Sequence, residues 1–207
     1  MNKKDIRSKV LALRDGISEE DRARYNKSIR EFITGMEEYR EAEAILAYVS
    51  YKSEVDTTEL IQHALSDGKY VFAPKVSGNE MEFWQISSLE DLREGYKGIR
   101  EPVQRVSFPN WISRHIGNNV MMWMPGAAFD RERHRIGYGG GFYDRYINRL
   151  LQRTEQTTSA ERARTQSRHF ILTTAALAYS CQVLERIPYE EYDVKPDILI
   201  TERGICS

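Results

Sequence analysis

Apolar positions recur along this chain in two rhythms, and the switch between them predicts the elements. Over residues 3–14, Ile6, Val10 and Leu13 are spaced to share one face of a helix. Ser18 then stands as a cap for a second helix, with Glu19, Glu20 and Asp21 in the first turn, where the helix dipole favours acids. Ile29, Phe32, Ile33 and Met36 supply that helix's apolar face. At 42–50 the pattern becomes a continuous apolar run, AEAILAYVS, with the composition of a buried strand. Asp56 or Thr57 opens a helix that turns Leu60, Ile61, Ala64 and Leu65 inward, and Gly68 closes it. Further strands are expected at 69–74, 81–86, 119–125, within 169–179 and at 197–201, and a helix at 141–151. Residues 152–168 are polar without an apolar period, and a loop or disordered insert is expected there.

Strand and helix alternate through most of the chain, which predicts an α/β fold with a largely parallel sheet. Ligands of such sheets bind outside the carboxyl ends of the strands. At 207 residues the chain can bury a core without a metal or disulfide staple. The net charge of −1 argues against a general nucleic-acid binder, although a local basic patch is compatible with it. Cys181 and Cys206 form no C-x-x-C pair, and His63, His115, His134 and His169 never show metal spacing. No apolar run follows the first charges and none approaches the roughly 18 residues of a membrane span. A cytoplasmic location without membrane contact is expected.

The densest chemistry is RHRIGYGGGFYDR, residues 133–145. Gly137, Gly139, Gly140 and Gly141 let a ligand approach bare backbone, and successive N–H groups there can converge into an anion-binding nest. A helix starting near Phe142 adds its free N–H groups, and Arg133, Arg135 and Arg145 add charge. The combination fits phosphate, and equally a glycine-rich turn in which Asp144 only complements the helix dipole. Neither G-x-x-x-x-G-K-[ST] nor G-x-G-x-x-G is present. On the first helix Lys3, Arg7 and Arg14 form one stripe beside the apolar face, either snorkelling along the core edge or clamping a polyphosphate. In SYKSEVDT, residues 50–57, Asp56 and Thr57 are explained as caps. Glu54 is left as an acceptor for the amide and amine edge of a heterocycle, and Tyr51 as a ring to stack on it.

Together these stretches resemble the 5-formyltetrahydrofolate cyclo-ligase family. The resemblance runs in order through Lys3 and Arg7, Ser50 to Thr57, GIREP at 98–102, MPGAAFD at 124–130, RIGYGGGFYDR, and IPYEEYDVKPDILITE near the end. Tyr138 stands where the family more often has arginine, Phe142 where tyrosine is usual, and Arg133 where glycine is common.

The resemblance implies one domain over 1–207 with a Rossmann-like three-layer α/β/α sandwich. It implies conversion of 5-formyltetrahydrofolate and ATP to 5,10-methenyltetrahydrofolate, ADP and phosphate, with Mg2+. The formyl oxygen attacks the γ-phosphoryl group, and the substrate's N10 then closes the ring and expels phosphate. The reacting nucleophiles belong to the substrate, so the protein's work is positioning and charge stabilisation. Carried onto this chain, the ATP site is Lys3, Lys4 and Arg7 with Arg135, Ile136, Gly137, Tyr138, Gly139, Gly140, Gly141, Phe142 and Tyr143. Lys3 and Arg145 stabilise transition-state charge, with Arg133 in a lesser role. Asp144 and Asp193 hold Mg2+, and Tyr51, Glu54, Tyr138 and Phe142 meet the folate. Two other readings remain: a non-catalytic RNA- or nucleotide-binding relative on the same fold, for which the arginines of 131–168 speak, and a sugar-phosphate isomerase. The sequence leaves oligomeric state open.

Overall fold

A computed structural model describes residues 1–115, 118–155 and 170–206, with side chains described to residue 152 in the second stretch. The helices are α1 (Lys3–Asp15), α2 (Glu19–Gly35), α3 (Glu37–Glu41), α4 (Thr58–Ser66), α5 (Phe108–Ile112) and α6 (Phe142–Glu155). The strands are β1 (Ala44–Leu46), β2 (Tyr70–Ser77), β3 (Glu80–Ile86), β4 (Leu92–Glu94), β5 (Arg100–Pro102), β6 (Asn119–Met124), β7 (Ala128–Asp130), β8 (Arg135–Ile136), β9 (Ile171–Leu177), β10 (Val183–Leu184), β11 (Ile198–Thr201) and β12 (Gly204–Cys206).

The main sheet runs β12-β11-β9-β6-β1-β2-β3. Its centre, from β11 to β2, is parallel, and β12 and β3 close the edges antiparallel. Alternation along the strands feeds two apolar layers. Ile45, Met121 and Trp123 pack with Ile29, Ile33 and Leu60 of α2 and α4. Ala44, Leu46, Val120 and Met122 pack on the other face with Phe108, Trp111, Tyr146 and Ile147 of α5 and α6. Both faces of the parallel strands are covered, so their runs are apolar throughout rather than alternating. Each buried Leu, Ile or Phe contributes roughly 1.5–3 kcal/mol relative to exposure. Helix α1 lies apart from these layers, placing Ile6 and Val10 against Ala128, Ile136 and Ile187 beside the small sheet β10-β7-β8.

Several expectations are corrected in detail. Ser18 does cap α2 through the Asp21 N–H, but the helix stops at Gly35; Met36 stands between α2 and α3, still buried with Ile29 and Ile33. Leu13 and Phe32 are exposed at 51% and 37%, whereas Arg14 is buried at 5%. The face of α1 that docks is thus one residue further round at its end, where Arg14 finds polar partners. The strand expected at 42–50 ends at Leu46. Beyond it the chain bonds to itself: the Thr57 hydroxyl donates to the Tyr48 carbonyl, the Ser50 N–H donates to Thr57 Oγ1, and the Tyr48 hydroxyl donates to the Val55 carbonyl. Helix α6 reaches Glu155, into the stretch read as a loop, because its apolar face is Tyr146, Ile147 and Leu150 and the polar residues that follow can still extend a helix. Residues 156–168 lie outside the described residues.

Candidate functional site

The chain leaves β1 to form β2 on one side and later returns as β6 on the other. The loops that follow β1 and β6 therefore separate over one point at the carboxyl edge of the sheet, the place where open α/β sheets bind ligands. A narrow, closed crevice lies there, walled by Glu54 and Val55 after β1, Pro125 and Gly126 after β6, and Arg14 and Tyr138 from outside the sheet.

The glycine-rich stretch is held at this edge by a rigid base. Asp130, fully buried at the end of β7, accepts from the N–H groups of Glu132, His134 and Ile187 and pairs with His134 Nδ1 at 3.0 Å. These bonds fix the turn that carries Arg133 at φ 70 and delivers β8. The backbone then turns through Gly139 at φ 97 and Gly141 at φ 62 into α6. A side chain at Gly141 would enter the left-handed region and meet Arg145 Nη1 at 2.7 Å. Gly141→Ala is expected to lower stability by about 1–2 kcal/mol, read from the denaturant midpoint; an unchanged midpoint would show that the turn relaxes freely.

Helix α1 grips this loop. Arg7 Nε donates to the Gly137 carbonyl at 2.8 Å, and its guanidinium lies under Gly139. Lys3 Nζ pairs with Asp193 at 2.6 Å and Glu190 at 3.2 Å. Partial burial acts to lower the Lys3 ammonium, but its bonds to the two carboxylates outweigh that and hold it above the ordinary range. Lys4 is exposed and shares none of these contacts. Arg14, read from the stripe as a polyphosphate clamp, instead enters the crevice: Nε donates to Ser53 Oγ at 3.0 Å and Nη1 to the Tyr138 hydroxyl at 2.6 Å. Ser53 in turn donates to Asp15.

The acids come together. Asp144, in the first turn of α6, accepts on Oδ1 from Arg135 Nη2 at 2.6 Å and from the Val194 N–H at 3.0 Å. Asp193 is therefore the chain neighbour of a residue bonded to Asp144. Both bonds on Asp144 fall on one oxygen, and both on Asp193, from Lys3 and the Glu190 N–H, fall on Oδ2. Each carboxylate keeps its other oxygen without a protein donor among the described residues, which fits a shared divalent cation. No group of three His, Cys, Asp or Glu gathers among the described residues. A sparse set suits Mg2+, which takes one or two carboxylates and completes its shell with phosphates and water. Arg135, expected to face phosphate, lies beneath the loop with its side chain 4% exposed, bonded to Asp144 and the Pro125 carbonyl. Ile136 is buried in the core under α1.

Glu54 accepts on Oε2 from the Tyr51 N–H at 2.8 Å. Burial raises its carboxyl above the ordinary range, against the opposing pull of the Tyr138 hydroxyl, the Tyr51 N–H and the Arg14 charge. Tyr51 carries Lys52 Nζ 5.2 Å over its ring and has no aromatic partner among the described residues. Tyr138 keeps 44% of its surface exposed, yet its hydroxyl end reaches into the crevice, and burial there pushes the phenol far above its usual range.

Phe142, Tyr143 and Arg145 lie on the other flank of the loop. Arg145 sits 5.2 Å over the Phe142 ring and donates to the Asn79 carbonyl at the β2–β3 turn. With Met81, Tyr146 and Arg149, Phe142 and Arg145 line a groove of about 320 Å3. Tyr143 packs edge-on to Phe83 beneath Arg135. The structure thus gathers most of the expected residues around one loop, but places Phe142 in a different recess from Glu54. Two contributors escaped the sequence reading, Gln182 and Glu190, and a third, Arg14, was read on the α1 stripe but not beside Glu54. Gln182, buried at 1%, holds the Gly126 and Ala127 carbonyls. Glu190 shares Lys3, and Arg14 faces Glu54 rather than the phosphates. The burial of a cation at the end of α1 is visible only as a break in its apolar stripe; nothing local marks Gln182.

This geometry has relatives. The chain is 25% identical to 5-formyltetrahydrofolate cyclo-ligase of Mus musculus, over 99% of this chain and 96% of the relative. It is 30% identical to the protein named 5-formyltetrahydrofolate cyclo-ligase, mitochondrial, of Arabidopsis thaliana, over 98% of this chain and 75% of the relative. Among solved structures it resembles 5,10-methenyltetrahydrofolate synthetase of Aquifex aeolicus, with a TM-score of 0.77 and 31% identity over 99% of this chain and 92% of that one. The 5-formyltetrahydrofolate cyclo-ligase family matches residues 1–202, and the chain belongs to that family.

Proposed function

We propose that this chain carries out the reaction its family is named for: ATP-dependent ring closure of 5-formyltetrahydrofolate to 5,10-methenyltetrahydrofolate, with release of ADP and phosphate. The observation that carries this reading is that α1 joins the glycine loop to the acids: Arg7 holds the Gly137 carbonyl, and Lys3 holds Asp193, whose chain neighbour Val194 is bonded to Asp144.

In this reading the Gly137–Gly141 backbone and the start of α6 cradle the ATP phosphates. The Lys3–Asp193 ion pair is charge-complementary to a metal–phosphate ligand: on binding, the ammonium turns to phosphate and the carboxylate to the cation. Asp144 and Asp193 would hold Mg2+, which would supply neutralisation of the developing phosphate charge. Arg7 steadies the loop from below. Arg145, lying against Gly141, reaches the transferring group from the side. Arg135 acts through Asp144, fixing that carboxylate from beneath. Glu54 takes the donor edge of the folate ring, Tyr51 closes the mouth, and Phe142 lines the path beyond the loop. No helix among the described residues is long and apolar enough to cross a membrane. A cytoplasmic location is part of this reading, supported by the two free cysteines.

Growth of the methenyl-folate absorbance band with 5-formyltetrahydrofolate, ATP and Mg2+ tests the reaction. A flat trace from folded protein would sink it, and RNA retained in the same preparation would favour the nucleic-acid-binding relative. Lys3→Ala is expected to raise the KM for ATP about tenfold or more with little change in that for folate, since the loss is one charge-assisted phosphate contact. A lower melting temperature with unmoved ATP kinetics would make Lys3 only a tie for Asp193 and Glu190.

A further inference from the structure

The Tyr138 hydroxyl occupies a place shaped for a ligand. It accepts from Arg14 Nη1 at 2.6 Å and offers its own proton to the Gly126 carbonyl at 3.4 Å, while the Glu54 carboxylate lines the same crevice. A buried cation and a half-buried carboxylate thus flank one oxygen. The crevice around it is closed too tightly to admit even a water-sized group, so a ring can enter only if the phenol moves. Among the described residues Arg14 has no counter-ion within hydrogen-bond reach; its geometric partners are two hydroxyls. Tyr138 is flanked by Gly137 and Gly139, so the loop can withdraw the phenol while α1 keeps its hold on the Gly137 carbonyl.

A hydroxyl presents one donor and one acceptor. The ring edge of a tetrahydropterin presents the same pair side by side, a lactam N–H next to a carbonyl oxygen, with an amino group beyond the N–H. We propose that Arg14 is a specificity-determining residue for the folate: it donates to the ring carbonyl while Glu54 accepts from the adjacent N–H, and the Tyr138 hydroxyl holds Arg14 Nη1 in the free protein until the ring displaces it. The proposal rests on the assignment of Glu54 to the folate. The latch keeps Arg14 Nη1 hydrogen-bonded in the closed crevice, while Glu54 accepts from the Tyr51 N–H. It also competes with substrate, because the free protein spends most of its time in the closed arrangement, and apparent affinity falls by the fraction that is open.

The test is calorimetric titration of the full chain with 5-formyltetrahydrofolate, with a 4-amino-4-deoxy folate analogue that lacks the ring carbonyl, and separately with ATP. Tyr138→Phe should bind folate about 3- to 10-fold more tightly, by release of the closed state, with ATP unchanged. Arg14→Gln should weaken folate about tenfold or more and leave the analogue nearly unaffected, because only the carbonyl contact is lost. Arg14→Lys should restore part of the folate affinity. Weaker or unchanged folate binding in Tyr138→Phe would overturn the latch. Equal losses of folate and analogue in Arg14→Gln, or no loss of folate, would overturn the carbonyl contact. A Glu54→Gln variant with undiminished folate affinity would remove the site itself, a failure distinct from both.

Discussion

Asp144→Asn is expected to lower turnover on the order of 100-fold, about 2.7 kcal/mol of transition-state stabilisation. Asparagine keeps an oxygen that can accept from Arg135 and from the Val194 N–H, so the start of α6 and the 190–194 segment stay in place. What is lost is the charge. That charge has two uses in this structure: it compensates Arg135, whose side chain is 4% exposed, and in our reading it holds Mg2+. The two uses separate in the measurement. Loss of the counter-charge should lower stability by about 1–3 kcal/mol, because a buried guanidinium keeps its hydrogen bond but not its anion. Loss of a metal ligand should raise the Mg2+ concentration needed for half-maximal rate by tenfold or more, the scale on which metal-site changes act. A destabilised protein with an unchanged Mg2+ requirement would assign Asp144 to Arg135 alone, and normal activity at limiting Mg2+ would remove it from the metal.

Glu54→Gln is expected to weaken folate binding by about 1–3 kcal/mol, because the amide turns a donor toward the donors of the ring. ATP affinity measured without folate should hold, since the glycine loop is held by Arg7 and not by Glu54. Equal losses for both ligands would mean that Glu54 supports the site's structure. The pH dependence has a definite sign. Burial raises the Glu54 carboxyl above its ordinary value, so folate binding that needs the ionised form should fade on acidification at a higher pH than an ordinary carboxylate would give. Stability runs the other way. A raised carboxyl favours the native state fully below its unfolded value and loses that contribution as pH rises through the folded value. At neutral pH the charged Glu54 is therefore a cost to folding, and Glu54→Gln should unfold at a higher denaturant concentration than the parent. Opposite movements of stability and folate affinity are the signature of a group placed for binding.

The elements legible in the sequence are those whose apolar pattern is long enough to average out exceptions. β2, β3, β6, β9 and β11, and helices α1, α2 and α4, fall within a few residues of their expected bounds. The short strands β4, β5, β7, β8, β10 and β12 have two or three residues each, too few to show a period. They exist because partners distant in the chain complete their hydrogen bonds. α3 separates from α2 at Gly35, where the helix must turn to pack Tyr39 under Trp123. The site was legible as residue types and incompletely as geometry. Lys3, Arg7, Glu54, Asp144, Asp193 and the glycines lie around one edge of the sheet. Lys4, Arg14, Arg135 and Phe142 take other places, because the face a side chain presents depends on what its element packs against.

The sequence by itself determined the order of elements, the two apolar layers, the glycines that allow the loop its left-handed turns, and the charges at both ends of the chain. These are local or periodic properties, set by backbone sterics and by the spacing of apolar side chains. Only the tertiary structure decided that β1 pairs on both sides, opening the crevice beside Glu54, and that Arg14 is buried there against Tyr138 while Arg135 lies beneath Asp144. Each of those outcomes depends on which of several polar partners a buried charge finds. That choice is made by the packing of segments more than a hundred residues apart, as in Arg14 with Tyr138, and no local pattern records it.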